Sequence, residues 1–103
     1  KKKEAEEAKK REQERIEKWL ARIEQNAGPH PALALEIART QRLVKGYGDT
    51  HLRGLKNFHT VMEALDRHQN RISPNILQAL RDAALADEQG KELDKALKAH
   101  ALA

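Results

Sequence analysis

The sequence predicts an all-α protein, a small bundle of four to five helices with a long charged helix at its N-terminus. Ala, Leu, Glu, Lys, Arg and Gln, which favour helices, dominate the 103 residues. The β-branched and aromatic residues that favour strands are scarce, with one Trp, one Tyr and one Phe in the chain. Apolar residues also recur at helical spacing between clear turn signals.

The first predicted helix runs from Lys1 to about Gln25. Its first half has no apolar residue larger than Ala, and seven Glu residues are interspersed with Lys and Arg. This mixture is typical of a solvated linker helix, which we predict over residues 1–26; a basic arm for nucleic acid is the alternative. An apolar stripe begins at Ile16, and Trp19 within it is predicted to anchor the helix where it docks.

A helical accessory domain is predicted over residues 27–103. The stretch Asn-Ala-Gly-Pro-His-Pro that ends at Pro31 breaks the first helix, because Gly can close a helix and Pro bars its continuation. The second helix is predicted from about Pro31 to Val44.

The third helix is predicted from about His51 to Gln69. Two glycines precede it and allow positive φ angles. We expect Asp49 or Thr50 to cap this helix through a side-chain oxygen.

The last part of the chain predicts one or two further helices. Ser73 is a predicted N-cap for a fourth helix over about Pro74 to Ala86, with Pro at its first position. Asp87 is a predicted N-cap for a short last helix, and an unbroken helix through Gly90 is the alternative.

The net charge of +4 is concentrated in the middle of the chain. Between Arg39 and His59 five basic residues accompany a single acid, Asp49, and the rest of the sequence is neutral. Such an excess attracts anionic partners. We therefore expect any anionic contact here, and nucleic acid is the less favoured partner.

The chain lacks residues that several kinds of catalytic and metal site require. Cys is absent, which excludes disulfides, thiolate zinc sites and iron–sulfur clusters held by this chain. The single Ser, Ser73, is explained by capping, and it lacks the glycine elbow of hydrolases. His59 and Glu63 have helical spacing for a pair of metal ligands but no third ligand is evident. We predict no catalytic, metal or cofactor site in the chain.

No apolar run approaches the roughly 20 residues that cross a bilayer, and the mean hydropathy is −0.86. With the absence of Cys, this predicts a cytoplasmic protein without membrane contact. Because the sequence begins Lys-Lys-Lys without a methionine, we also predict that it is a segment of a longer protein.

The stretch LVKGYGDTHLRG, residues 43–54, is the most informative. It lacks the GxxxxGK[ST] spacing of a phosphate loop, and no strand precedes it as a dinucleotide fingerprint requires. Amides at the start of the third helix can hold an anion with help from nearby bases. The alternative is a tight interhelical turn with solvated bases. The candidate anion or interface contacts are Lys45, Gly46, Tyr47, Gly48, Asp49, Thr50 and Arg53.

The stretch from Leu35 to about Phe58, LEIARTQRLVKGYGDTHLRGLKNF, resembles the C-terminal helical region of indolepyruvate oxidoreductase beta subunits. It is similar also to that region of the fused bacterial indolepyruvate ferredoxin oxidoreductases. The string RLVKGYGDTHLRG is the specific part, and the later ADEQGKELDKAL is similar in character to the end of the region.

The resemblance implies membership of the 2-oxoacid:ferredoxin oxidoreductase family, which decarboxylates arylpyruvates oxidatively to aryl-acetyl-CoA. It implies thiamine diphosphate, magnesium and iron–sulfur clusters in the complete enzyme and none of them in this segment. The implied role is a non-catalytic accessory domain that packs against the catalytic domain of the same chain or against a partner subunit. The alternative is a free-standing basic helical module that binds an acidic partner or nucleic acid.

Overall fold

A computed structural model describes residues 2–68 and 71–102, with the backbone alone for residues 2–5 and 8. The described residues form five α-helices and one short 3-10 helix, with no strand among them. The all-α prediction, with a long charged first helix, is therefore confirmed. The elements are α1 (Lys2–Ala27), α2 (Pro31–Arg39), the 3-10 helix (Thr40–Leu43), α3 (Gly48–Arg67), α4 (Pro74–Ala86) and α5 (Lys91–Ala99).

The chain divides into two compact units, Lys1–Ala38 and Arg39–Ala103. The predicted division into a linker helix over 1–26 and an accessory domain over 27–103 concerns function rather than packing. It stays a prediction.

In the first unit, a side-chain hydrogen bond joins α1 to α2. The indole Nε1 of Trp19 donates a hydrogen bond of 2.9 Å to the carbonyl oxygen of Ile37. The ring of Trp19 is half-buried and the side chain of Ile37 is fully buried. An indole N–H that is partly removed from water favours such an acceptor. Trp19 contacts α2 as expected, but its ring is only half-buried, so its role as a core anchor stays a prediction.

The second unit is built around α4, which contacts α3, α5 and the 3-10 helix. Each element contributes apolar side chains that are almost completely buried, and each such side chain stabilises the fold by roughly 1.5–3 kcal/mol relative to its exposed state. The largest are Phe58 and Val61 of α3, Leu77 and Leu80 of α4, and Leu93 of α5.

The second predicted helix ends earlier than expected. The α-helix stops at Arg39, and the chain continues to Leu43 as a 3-10 helix rather than to Val44 as an α-helix. In a 3-10 helix, residues three apart lie on the same side. That winding places Thr40 and Leu43 together, and both are buried.

The start of the third helix was predicted wrongly. α3 begins at Gly48, and its N-cap is Tyr47, which has an extended backbone and makes no capping side-chain bond. Asp49 and Thr50 therefore lie in the first turn and are not caps. An acid in the first turn still stabilises the helix, because its negative charge lies at the positive end of the helix dipole. At the other end α3 is helical to Arg67, and the predicted last residue, Gln69, lies outside the described residues.

The fourth helix has the predicted bounds and cap. The hydroxyl oxygen of Ser73 accepts a hydrogen bond of 3.2 Å from the amide of Ile76. This arrangement satisfies one of the amides that a helix leaves unpaired at its first turn.

The chain breaks between α4 and α5, so an unbroken helix through Gly90 is wrong. Gly90 has a φ of 86°, in the left-handed region, and occupies the N-cap position of α5. The carboxylate of Asp87 accepts hydrogen bonds from the amides of Gln89, at 3.0 Å, and Lys91, at 3.2 Å. The prediction of Asp87 as the N-cap is therefore wrong, although its carboxylate bonds the first amide of α5 from three residues upstream of the N-cap Gly90.

Candidate functional site

The candidate site lies in the second unit, where the turn of residues 44–47 joins the 3-10 helix to α3. Gly46 has a φ of 79° and Gly48 a φ of 57°, both in the left-handed region that side chains other than that of glycine rarely adopt. A Cβ on Gly46 would also lie 2.7 Å from the methyl carbon of Thr50. The backbone conformation of the turn therefore requires glycine at both positions.

Gly54 permits α3 to lie directly against the backbone of the 3-10 helix. A Cβ at this position would lie 2.1 Å from the carbonyl oxygen of Leu43 and 3.3 Å from its carbonyl carbon. Non-bonded atoms do not approach that closely, so a side chain here would push the two elements apart. Gly54 and Leu43 are both buried.

Arg53, beside that glycine, is paired within the protein. Its Nη2 lies 2.9 Å from the Oε1 of Glu88, with the two side chains 33% and 50% exposed. The same nitrogen makes a long hydrogen bond of 3.5 Å to the hydroxyl of Thr50. The Nε of Arg53 is buried with no hydrogen-bond partner. Glu88 thus offsets one of the central positive charges.

Asn57 holds the backbone of the same Glu88. Its Nδ2 donates a hydrogen bond of 3.2 Å to the carbonyl oxygen of Glu88. A Cβ on Gly90 would lie 3.1 Å from the Oδ1 of Asn57, so glycine allows this turn to approach α3. α3 therefore binds Glu88 of the α4–α5 turn twice, its side chain through Arg53 and its main chain through Asn57.

A groove of about 280 Å³ lies between the start of α3 and the end of α4. Its apolar part includes Leu43 and Leu85, and Lys45 and Glu88 bring opposite charges to it. It is lined by Leu43, Lys45, Thr50, Gly54, Asn57, Ala84, Leu85, Ala86 and Glu88. An opening with one cation, one anion and an apolar floor carries no excess charge that would favour an anion.

The structure separates the seven predicted contact residues into two groups. The exposed group contains Lys45, Gly46, Tyr47, Gly48 and Asp49, and the half-buried group contains Thr50 and Arg53. Tyr47 is 94% exposed. Only the second group is joined by a side-chain hydrogen bond, and whether any of the seven contacts an anion stays a prediction.

Glu88 and Asn57 belong to this site and were missed by the sequence reasoning. Asn57 lies in the middle of α3, where a polar residue within an apolar stripe is a weak signal. Glu88 follows α4, and its proximity to Arg53 depends on how α4 returns along α3. Helical periodicity contains no information on that return.

Among the described residues, no group of three or more His, Cys, Asp or Glu side chains is placed to hold a metal ion. Within residues 2–68 and 71–102, no helix combines the length and the apolar character needed to cross a membrane.

Comparison with known proteins gives one match. The model of a family described as a family of unknown function (DUF6537) matches residues 4–64, which is more than half of the chain. The chain belongs to the DUF6537 family. The matched DUF6537 segment runs from α1 to near the end of α3. It includes the seven predicted contact residues and Asn57 but not Glu88 or the end of α4. No curated protein matches the chain, and no solved structure does.

Proposed function

We propose that this chain is a non-catalytic helical accessory domain of a cytoplasmic, indolepyruvate-type 2-oxoacid oxidoreductase. In this role it packs against the catalytic domain of the same chain or against a partner subunit. The complete enzyme would decarboxylate an arylpyruvate oxidatively to an aryl-acetyl-CoA. The proposal starts from the resemblance of residues 35–58 to the C-terminal helical region of such enzymes.

The observation that carries the accessory role is the contact between Leu43 and Gly54. Both residues belong to the string RLVKGYGDTHLRG, residues 42–54. The carbonyl of Leu43 lies where a side chain on Gly54 would be. The two ends of the string therefore meet, and its middle forms the turn between them.

The contact between the two ends of this string fixes how α3 lies against the 3-10 helix. Its glycines meet backbone requirements, and Arg53 holds the α4–α5 turn through Glu88. These are the roles of a structural element, which supports an accessory domain over a reaction site.

The cofactors implied for the complete enzyme do not fit this chain. Iron–sulfur clusters are held by Cys thiolates, and the chain contains no Cys. Thiamine diphosphate, its magnesium and the clusters would all belong to the catalytic part of the enzyme, and no reaction step is assigned to residues of this chain.

The test is the activity of the complete parent protein. We expect the purified full-length protein to reduce a viologen dye in a reaction that requires an arylpyruvate, coenzyme A and thiamine diphosphate. The gene that encodes this chain should also encode, or lie beside, a catalytic domain of the same family. A parent protein that carries no such domain and shows no such activity would end the proposal.

A further inference from the structure

A second groove lies in the same unit, between α3 and the start of α5. Its volume is about 320 Å³. The apolar side chains that line it include Leu93 and Leu97, which lie one turn apart on α5 and are buried. Lys56 of α3 and Lys91 of α5 line the same groove. The groove therefore combines apolar side chains with cations from both helices.

The acid that lines this groove is paired within the chain. The Oδ2 of Asp94 lies 3.2 Å from the Nζ of Lys98, one turn further along α5. The other acid of α5, Glu92, is 3.3 Å from the Nζ of Lys95. The two acids of the α4–α5 turn are held by the ion pair and the amide hydrogen bonds described above. These acids are thus directed to partners other than the two lysines of the groove.

The two lysines of the groove keep their charges. Lys56 and Lys91 are exposed, and neither ammonium group forms an ion pair with a residue that the structure describes. Asp94 is the single acid among the residues that line the groove, and Lys98 offsets its charge. The groove therefore carries an excess of positive charge beside its apolar side chains, which favours an occupant that is both acidic and partly apolar.

We propose that the groove between α3 and α5 binds an acidic peptide segment of a neighbouring protein domain. An apolar side chain of that segment would contact Leu93 and Leu97, and its carboxylates would pair with Lys56 and Lys91. Such charge complementarity speeds docking and selects against other partners. The proposal rests on the proposed function for the identity of the neighbour, the catalytic part of the same enzyme.

A nucleic acid fits this groove less well than an acidic peptide. Proteins that bind nucleic acids neutralise several phosphates of a densely charged backbone. The groove offers two lysines for that purpose, and the carboxylate of Asp94 beside them would repel a phosphate. Contacts with phosphates also make no use of the apolar side chains in the groove.

Carbodiimide coupling in the complete parent protein tests the proposal, because it joins a lysine amine directly to a carboxylate in contact with it. Linked peptides are identified by mass spectrometry, and a mixture of isotopically labelled and unlabelled protein identifies links between two copies. We expect Lys56 and Lys91 to be linked to Asp or Glu outside residues 1–103. Lys98 is the matched control on the same helix, and we expect it to be linked to Asp94 of its own chain.

Photo-crosslinking locates the occupant without using the lysines. Gln89 is exposed and lines the groove, so p-benzoylphenylalanine at this position places the reactive group beside the occupant. The same substitution for Gln78, which is exposed on α4 and does not line the groove, is the control. We expect position 89 to capture the same peptide that the carbodiimide links to the lysines, and position 78 not to capture it.

Charge reversal adds a further readout. Lys56→Glu with Lys91→Glu should lower the yield of the position-89 cross-link about tenfold, since like charges would then face one another. The control is Lys18→Glu with Arg71→Glu, two exposed bases that do not line the groove, and it should leave the yield unchanged. Circular dichroism and the melting temperature confirm that each variant is folded.

Several results would overturn the proposal. These are links from Lys56 and Lys91 to acids of residues 1–103 alone, a link to a second copy, capture of a nucleic acid at position 89, and equal capture at positions 89 and 78. Dye reduction measured on the same preparation separates the two proposals. An active enzyme without the links refutes the binding groove alone, whereas the expected links in a protein without arylpyruvate activity refute the enzyme assignment alone.

Discussion

Arg53 and Glu88 are an ion pair that joins α3 to the turn between α4 and α5, with 2.9 Å between Nη2 and Oε1. The pair changes how the central basic stretch is understood. Arg53, one of the candidate anion contacts, pairs with an acid of its own chain. Whether it also contacts an anion stays a prediction. The bases that retain an unpaired charge in this stretch are Arg42, Lys45 and Lys56.

The Arg53–Glu88 pair should contribute little stability. Its side chains are 33% and 50% exposed, and exposed pairs contribute roughly 0.2–1 kcal/mol. We expect a double-mutant cycle of Arg53→Gln and Glu88→Gln, measured by urea unfolding, to give a coupling free energy in that range. The coupling should fall in 0.5 M salt. A coupling of several kcal/mol would mean that the pair is far less solvated than its exposure indicates.

Substitution of Gly54 should strongly destabilise the fold. Gly54→Ala places a Cβ 2.1 Å from the carbonyl oxygen of Leu43, and relief of that clash must separate α3 from the 3-10 helix. We expect a loss of about 1–3 kcal/mol in the free energy of unfolding. Gly28→Ala is the matched control, because nothing lies within 4 Å of its added Cβ. Equal effects of the two substitutions in thermal unfolding would contradict the close approach.

Ala101 offers a site for stabilisation. It has a φ of 56°, and it follows α5 where the amide of Leu102 donates a 2.7 Å bond back to the carbonyl of Leu97. This is the helix ending in which glycine is preferred. Ala101→Gly should raise the free energy of unfolding by about 1 kcal/mol, since the left-handed conformation costs an L-residue that much. In Ala83→Gly, inside α4, the expected change is opposite in sign and similar in size. A lower melting temperature for Ala101→Gly would count against the assigned conformation.

Ser73 should be replaceable only by another capping residue. Ser73→Ala removes the acceptor for the amide of Ile76, at an expected cost of about 1 kcal/mol. Ser73→Asp retains an acceptor oxygen and places a negative charge at the positive end of α4, so its stability should match or exceed that of the parent. Both values follow from urea titration. If Ser73→Ala unfolds at the same urea concentration as the parent, the cap contributes nothing.

The predictions from sequence failed where two elements meet. The α-helical pattern extends to Val44, yet burial of both Thr40 and Leu43 is achieved by a 3-10 helix. Asp49 and Thr50 have the chemistry of caps, but the contact of Gly54 with Leu43 positions α3, and the helix begins at Gly48. Local propensity is a weak term that packing overrides.

The sequence by itself determined the all-α class, the charged α1, the bounds of α4 and the capping by Ser73. These features depend on side chains that act on their own helix or the next few residues, so spacing along the chain contains the needed information. Tertiary structure alone decided that Gly54 lies against Leu43, that Arg53 pairs with Glu88, and that Tyr47 and Leu52 are left exposed. Each of these is a relation between elements distant along the chain or between an element and solvent. The packing of α3 with the 3-10 helix and α4 sets those distances, and helical periodicity does not encode that packing.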